Sequence, residues 1–104
     1  MCLIVFAWKL LPCTPLVVAS NRDEFYARPA APATWWNDYP TVFAGRDLQS
    51  GGTWMGINTQ HGDNSLTNKF AAITNIRAPS EKRDDAPSRG GLVADYLTGN
   101  LSPK

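Results

Sequence analysis

Two short apolar runs near the start of the chain, residues 3–8 (Leu-Ile-Val-Phe-Ala-Trp) and 16–20 (Leu-Val-Val-Ala-Ser), flank a connection that holds Pro12 and Pro15. Branched and aromatic side chains in runs this short favour a pleated surface over a helix, and prolines between them mark a turn. The pair predicts a β-hairpin whose first strand is buried and begins at Cys2. Further short segments follow. Residues 42–44 lead into Gly45-Arg-Asp47, residues 51–58 alternate enough to form a strand entered through a glycine turn, and residues 70–75 form another. Residues 59–68 between them are polar. Residues 28–38 contain Pro29 and Pro32 and no sustained period, which predicts an irregular loop from which Trp35 and Trp36 dock onto the body. Residues 78–88 are charged and proline-punctuated, a surface loop. Ser88 is then placed to cap a helix running to about Thr98, with Leu92, Val93, Tyr96 and Leu97 at helical spacing and Gly99 to stop it. The expected class is α+β, with mostly antiparallel strands and a C-terminal helix.

At 104 residues, 43% hydrophobic and 18% charged, the chain supplies one modest core and one soluble domain at most. A formal charge of +1, with Lys and Arg dispersed, gives no pull toward nucleic acid or an anionic membrane. The apolar start lacks a basic leader and meets Lys9 too soon for a signal peptide or a membrane span, so a cytoplasmic location is expected. Cys2 and Cys13 are accordingly expected as free thiols. One histidine, His61, far from both cysteines, does not make a zinc set, and no metal or cofactor is expected.

Chemistry concentrates at the second residue. Removal of Met1 leaves Cys2 with a free α-amine beside its thiol. A free thiol titrates near about 8.5, and an α-amine at about 7.7 to 8.0 accepts its proton close to neutral pH, so the residue carries its own base. His61, in a polar stretch beside Gly62 and Asp63, is expected in solvent rather than in catalysis. An acyl-transfer centre also needs a donor for the developing oxyanion. Asn75, closing the strand over residues 70–75, is the first choice and Asn58 the second, though either also suits a turn. The cluster Asn21-Arg-Asp-Glu24 follows the second run. If the first two strands pair, this cluster lies beside the start of the first, bringing Arg22 and Asp23 near Cys2. There Arg22 favours a thiolate or a substrate carboxylate, and Asp23 orients the α-amine. The bland alternative is a solvated charge pair in a turn.

Several motifs occur in a characteristic order: Met1-Cys-Leu-Ile, Ala19-Ser-Asn-Arg-Asp-Glu-Phe-Tyr26, Arg28-Pro, Trp35-Trp, Gly45-Arg-Asp-Leu, Gly51-Gly-Thr-Trp-Met-Gly, Phe70-Ala-Ala-Ile-Thr-Asn-Ile-Arg77 and Ser88-Arg-Gly-Gly-Leu-Val93. In this the chain resembles the NRDE family, the transport-and-Golgi-organisation group, from residue 1 to about residue 98. The resemblance implies an N-terminal-nucleophile-type α/β/β/α sandwich, of which residues 1–104 form the amino-terminal part of a single domain. It also implies that the nucleophile and its amine fall on Cys2, an Arg/Asp pair on Arg22 and Asp23, and the oxyanion donor on Asn75, with Glu24 an alternative to Asp23. Members are generally more than twice this long, so a carboxy-terminal half or self-association is expected to cover the exposed sheet edges. Two functions follow. One is a hydrolase of amide or related acyl bonds acting on a small-molecule acyl substrate through a Cys2 thioester. The other is a non-enzymatic factor in haem or lipid handling and secretory organisation.

Overall fold

In a computed structural model, which describes residues 3–62, 65–74 and 88–99, the opening hairpin is longer than its apolar runs. Strand β1 spans Leu3–Leu11 and β2 spans Thr14–Asn21, antiparallel, with Leu3 opposite Asn21 and Trp8 opposite Leu16. The connection is two residues, Pro12 and Cys13, between the paired Leu11 and Thr14. Proline holds φ near about −65°, and Cys13 has a φ of 61°, the signs that a type II turn requires. That turn does not match the strand twist as well as its mirror-image types do. The register shifts between Trp8 and Leu11, where Lys9 also takes a positive φ of 56°. A side chain held left-handed costs roughly 1–2 kcal/mol, part of which glycine returns through its freer unfolded chain. Cys13→Gly is therefore expected to stabilise the chain by about 0.5–1 kcal/mol, read as a higher urea midpoint. A lowered midpoint would contradict the turn assignment.

The expectation that the first strand is buried is not met. Leu3, Val5, Phe6, Trp8, Leu10 and Leu11 are each more than half exposed. A two-stranded sheet has two faces to cover, and the other described elements cover little of either. Near its open end the Ser20 hydroxyl reaches the Met55 sulfur at 3.8 Å, on the second sheet.

That second sheet contains β3 (Ala30–Trp35), β4 (Val42–Asp47), β5 (Met55–Gly62) and β6 (Ser65–Ala72), antiparallel and in sequence order. Here the irregular loop expected over residues 28–38 is in large part a strand. Proline is excluded from central strands because it cannot donate to the ladder, but β3 lies at an edge and its register shifts between Ala31 and Thr34, around Pro32. The polar stretch at residues 59–68 is likewise mostly strand, with Thr59 opposite Asn68 and Gly62 opposite Ser65. Backbone pairing does not require apolar alternation where strands project past a core.

Helix α1 (Gly90–Thr98) packs on one face of this sheet. Val93 and Leu97 join Trp36, Val42 and Ala44 in the buried core. The facing positions are small: a Cβ on Gly56 would meet the Ala44 Cβ at 2.6 Å and Leu97 Cδ1 at 3.0 Å. On the opposite face the register aligns Trp35, Phe43, Ile57 and Phe70 across all four strands, the first two with ring centroids 5.2 Å apart.

The helix ends differ from expectation in detail. Arg89, not Ser88, occupies the N-cap, without a side-chain cap; the Ser88 contribution is its carbonyl, which accepts the Gly91 N–H at 3.1 Å. Gly99 does end the helix, in extended rather than left-handed conformation, and a Cβ there would meet the Asp95 carbonyl oxygen at 2.7 Å. The architecture is α+β. Among the described residues no helix is long and apolar enough to cross a membrane.

Candidate functional site at the open end of the first hairpin

Antiparallel pairing returns the chain to its start. With Leu3 opposite Asn21, the last residue of β2 lies beside the first described residue of β1, and Arg22, Asp23 and Glu24 leave the sheet there. Cys2 itself lies outside the described residues, joined to Leu3 by one peptide bond. The contact at this end is made by a residue not chosen from the sequence: the Leu3 N–H donates to Asn21 Oδ1 at 3.1 Å. The available signal was an amide side chain at a strand exit, where such groups bond to neighbouring backbone.

Beyond Asn21 the polar cluster is organised internally. Arg22 Nη2 donates to Glu24 Oε2 at 2.7 Å, and Glu24 Oε1 accepts the Phe25 N–H at 2.9 Å. Glu24 thus has both carboxylate oxygens engaged, and Asp23 lies exposed beside it. Phe25 and Tyr26 are highly exposed at the tip of this segment.

The far end of the segment is anchored to the four-stranded sheet. Arg28 Nη2 lies 2.5 Å from Asp47 Oδ2 and 3.0 Å from Ser50 Oγ, with Arg28 Nε 3.2 Å from the same Asp47 oxygen. The Leu48 N–H donates to the Pro29 carbonyl at 3.0 Å. The Arg28 bond, assisted by the Gln49 and Ser50 backbone N–H groups against partial burial, pulls the Asp47 carboxyl from 3.8 down to about 2. This ties two separate sequence motifs, Arg28-Pro and Gly45-Arg-Asp-Leu, into one clamp.

The other expected donors divide. Asn75 lies outside the described residues; β6 ends at Ala72, before it. Asn58 is 2% exposed within β5, and its Nδ2 donates to the Leu97 carbonyl at 2.5 Å. Together with Lys69, whose Nζ donates to the Gly99 carbonyl at 2.6 Å, it holds the helix C-terminus against the sheet. Asn58 is a helix-to-sheet tie, not an oxyanion donor. His61, in β5, pairs with Leu66 of β6, a strand rather than a loop position.

Away from this end, an open groove of about 360 Å³ is lined in part by Ala31, Trp35, Trp36, Asp38, Arg46 and Leu48. Its cation is engaged: Arg46 donates to both Asp38 oxygens at 2.6 and 2.9 Å and to the Gly51 carbonyl at 3.0 Å, and it lies 4.0 Å over the Trp36 ring. Hydrogen bonding to Arg46 holds Asp38 below the usual carboxylate range. This arrangement braces the Trp36 turn and presents no unopposed charge to an anion. Among the described residues no three metal-ligating side chains come together.

Comparison with known proteins gives a consistent answer. The family model described as Transport and Golgi organisation 2 matches residues 1–104. The chain is 40% identical to the Transport and Golgi organization protein 2 homolog of Bos taurus, the match covering 97% of this chain and 36% of that protein. It is 36% identical to the Mus musculus homolog, with the same coverage. To the Drosophila melanogaster protein of the same name it is 38% identical, over 94% of this chain and 35% of that one. The chain spans about a third of the length of these curated relatives.

Proposed function

The chain belongs to the Transport and Golgi organisation 2 family, and from that premise we propose that its first hairpin carries an N-terminal thiol centre for acyl transfer, serving a role in transport and Golgi organisation. The reacting group is Cys2 after loss of Met1. Its α-amine accepts the thiol proton, the thiolate sulfur attacks the carbonyl carbon of an amide or related acyl bond, and the leaving group departs with the proton held by the ammonium. Water then cleaves the thioester and restores the thiol. Arg22 favours the thiolate or pairs with a substrate carboxylate, Asp23 orients the amine, and Asn75 donates to the oxyanion.

What supports this reading is the pairing of Leu3 with Asn21, from which the Arg22-Asp23 step follows directly in the chain. Treating the full chain with p-nitrophenyl acetate in a Cys13→Gly background tests it. A hydroxylamine-labile acetyl adduct should form on Cys2, in protein whose intact mass lacks Met1, and Cys2→Ala should abolish it. Persistence of that adduct at another residue, or a retained Met1, overturns the proposal.

A second reading, a non-enzymatic factor that handles a lipid or haem, is favoured by the apolar side chains exposed on β1. Haem titration of the full chain distinguishes it through a saturable absorption shift that survives Cys2→Ala.

A further inference from the structure

We propose that the turn end of the first hairpin, Trp8 to Cys13, docks on a lipid bilayer by inserting shallowly among anionic headgroups. Large apolar side chains are exposed on both faces of the hairpin and at its end. The register puts Phe6 and Trp8 on one face and Leu3, Val5 and Val17 on the other, and Leu10 near the turn is 77% exposed. A protein docked on one face would leave the other wet, whereas lipid surrounds an inserted end on every side.

The backbone suits shallow entry and no more. A two-stranded ribbon keeps two open edges whose N–H and C=O groups need water, which keeps the whole hairpin out of hydrocarbon. Near the turn the cost is least, since Pro12 and Pro15 have no N–H to strip of water and Leu11 pairs with Thr14. At about 3.3 Å per residue, Leu11 lies at most about 10 Å beyond Trp8, the depth to which interfacial apolar groups sink. Trp8 then sits at headgroup level, where tryptophan is favoured.

Charge follows the same arrangement. Lys9 is the sole charged residue from Leu3 to Asn21; it is exposed, and its Nζ lies 5.2 Å from the Trp8 ring centroid. Its long side chain can reach phosphates while its stem stays in apolar surroundings. Asp23 and Glu24, the nearest acids in sequence, follow the opposite end of the hairpin. With a net charge of only +1, long-range attraction is weak, so apolar contact supplies most of the affinity and Lys9 the preference for anionic lipid.

Sedimentation of the full chain with vesicles of phosphatidylcholine, or of equimolar phosphatidylcholine and phosphatidylserine, tests the proposal. The parent should bind the mixed vesicles about fivefold more tightly than the neutral ones, and Lys9→Gln should remove that preference. Leu10→Ser combined with Leu11→Ser should weaken binding to both by about tenfold or more, with little change in the urea midpoint. A nitrobenzoxadiazole group attached at Cys13, in a Cys2→Ala chain, should emit at shorter wavelength on the mixed vesicles. Failure to bind either vesicle overturns the proposal, as does binding that survives the leucine substitutions or leaves the Cys13 group in water. A dimer that the leucine substitutions dissociate, in protein that ignores vesicles, overturns it in favour of a second copy of the chain.

Discussion

Gly52→Ala is expected to destabilise the full chain by about 3 kcal/mol, the upper end of what overpacking a close contact costs. A Cβ at this position would lie 2.6 Å from the Gly90 carbonyl carbon, 2.7 Å from its oxygen and 2.9 Å from the Gly91 nitrogen. All three are backbone atoms of the first helical turn, so no side-chain rotation relieves the clash. The neighbouring bond, Thr53 N–H to the Gly90 carbonyl at 3.3 Å, would lengthen as the helix withdraws. The reverse approach is tight as well: a Cβ on Gly90 would lie 3.0 Å from the Thr53 oxygen. Each doublet supplies its own control. Gly91 has nothing within 4 Å of a built Cβ, and Gly91→Ala is expected to stabilise α1 by up to about 1 kcal/mol through helix propensity. Gly51 also faces open space, but its φ of 80° makes Gly51→Ala cost roughly 1–2 kcal/mol from the backbone alone. Urea unfolding followed by tryptophan fluorescence separates the three. Equal midpoints for Gly52→Ala and Gly91→Ala would refute the close approach of helix and loop.

Such a contact is not visible in a single chain, where Gly51-Gly reads as a turn and Gly90-Gly as poor helix formers. What the sequence does reveal is local. The apolar runs at residues 3–8 and 16–20 are strands because branched side chains and flanking prolines leave little alternative, and Val93 and Leu97 lie on the helix face that their spacing indicates. Strand β3 is not legible in the sequence because Pro29 and Pro32 argue against a ladder, and whether a strand is an edge depends on all the others. The polar continuation of β5 and β6 is hidden for a related reason. Its pairing is carried by backbone groups, which have no sequence signature.

The site divides along the same line. That the Arg22-Asp23 step follows the strand end beside Leu3 is a consequence of antiparallel pairing alone, so it is legible without knowing the register. That Asn21 rather than Ser20 faces Leu3 depends on a register set by the Pro12-Cys13 turn and the irregularity between Trp8 and Leu11. The partner of Arg22 is likewise a matter of side-chain geometry, and it is Glu24. Asn58 shows the opposite failure. Its type suits an oxyanion donor, but its strand position faces the helix, and the Leu97 carbonyl takes its N–H. Residue chemistry nominates candidates, and the face on which a strand places them decides among them.

The second large effect is expected at Asp47, whose replacement by Asn should lower stability by about 2 kcal/mol near neutral pH and by progressively less in acid. Its carboxyl titrates at about 2 in the folded chain against an ordinary 3.8. At about 1.4 kcal/mol per pH unit, that gap gives the expected loss. A depressed folded-state value means that the contribution is complete above the unfolded pKa. It declines as pH falls through 3.8 toward about 2, and is gone below both. Solvent reaches the pair through Arg28, 29% exposed against 10% for Asp47, and screening makes about 2 kcal/mol the upper figure. Urea midpoints of the parent and Asp47→Asn, compared at several pH values from 7 down to about 2, should therefore converge across that window. Parallel pH profiles would mean that the Arg28 bond does not hold the carboxylate. The consequence reaches the candidate site, because this clamp fixes the far end of the segment that begins at Asn21 and thereby joins the first hairpin to the four-stranded sheet. With the clamp weakened, the Ser20 contact to Met55 remains between the sheets, and a hydroxyl-to-sulfur approach of 3.8 Å is a weak tether. Asp47→Asn should consequently also slow Cys2 capture, with the hairpin register and the Asn21 contact to Leu3 intact, because the Arg22-Asp23 step loses one of its two anchors.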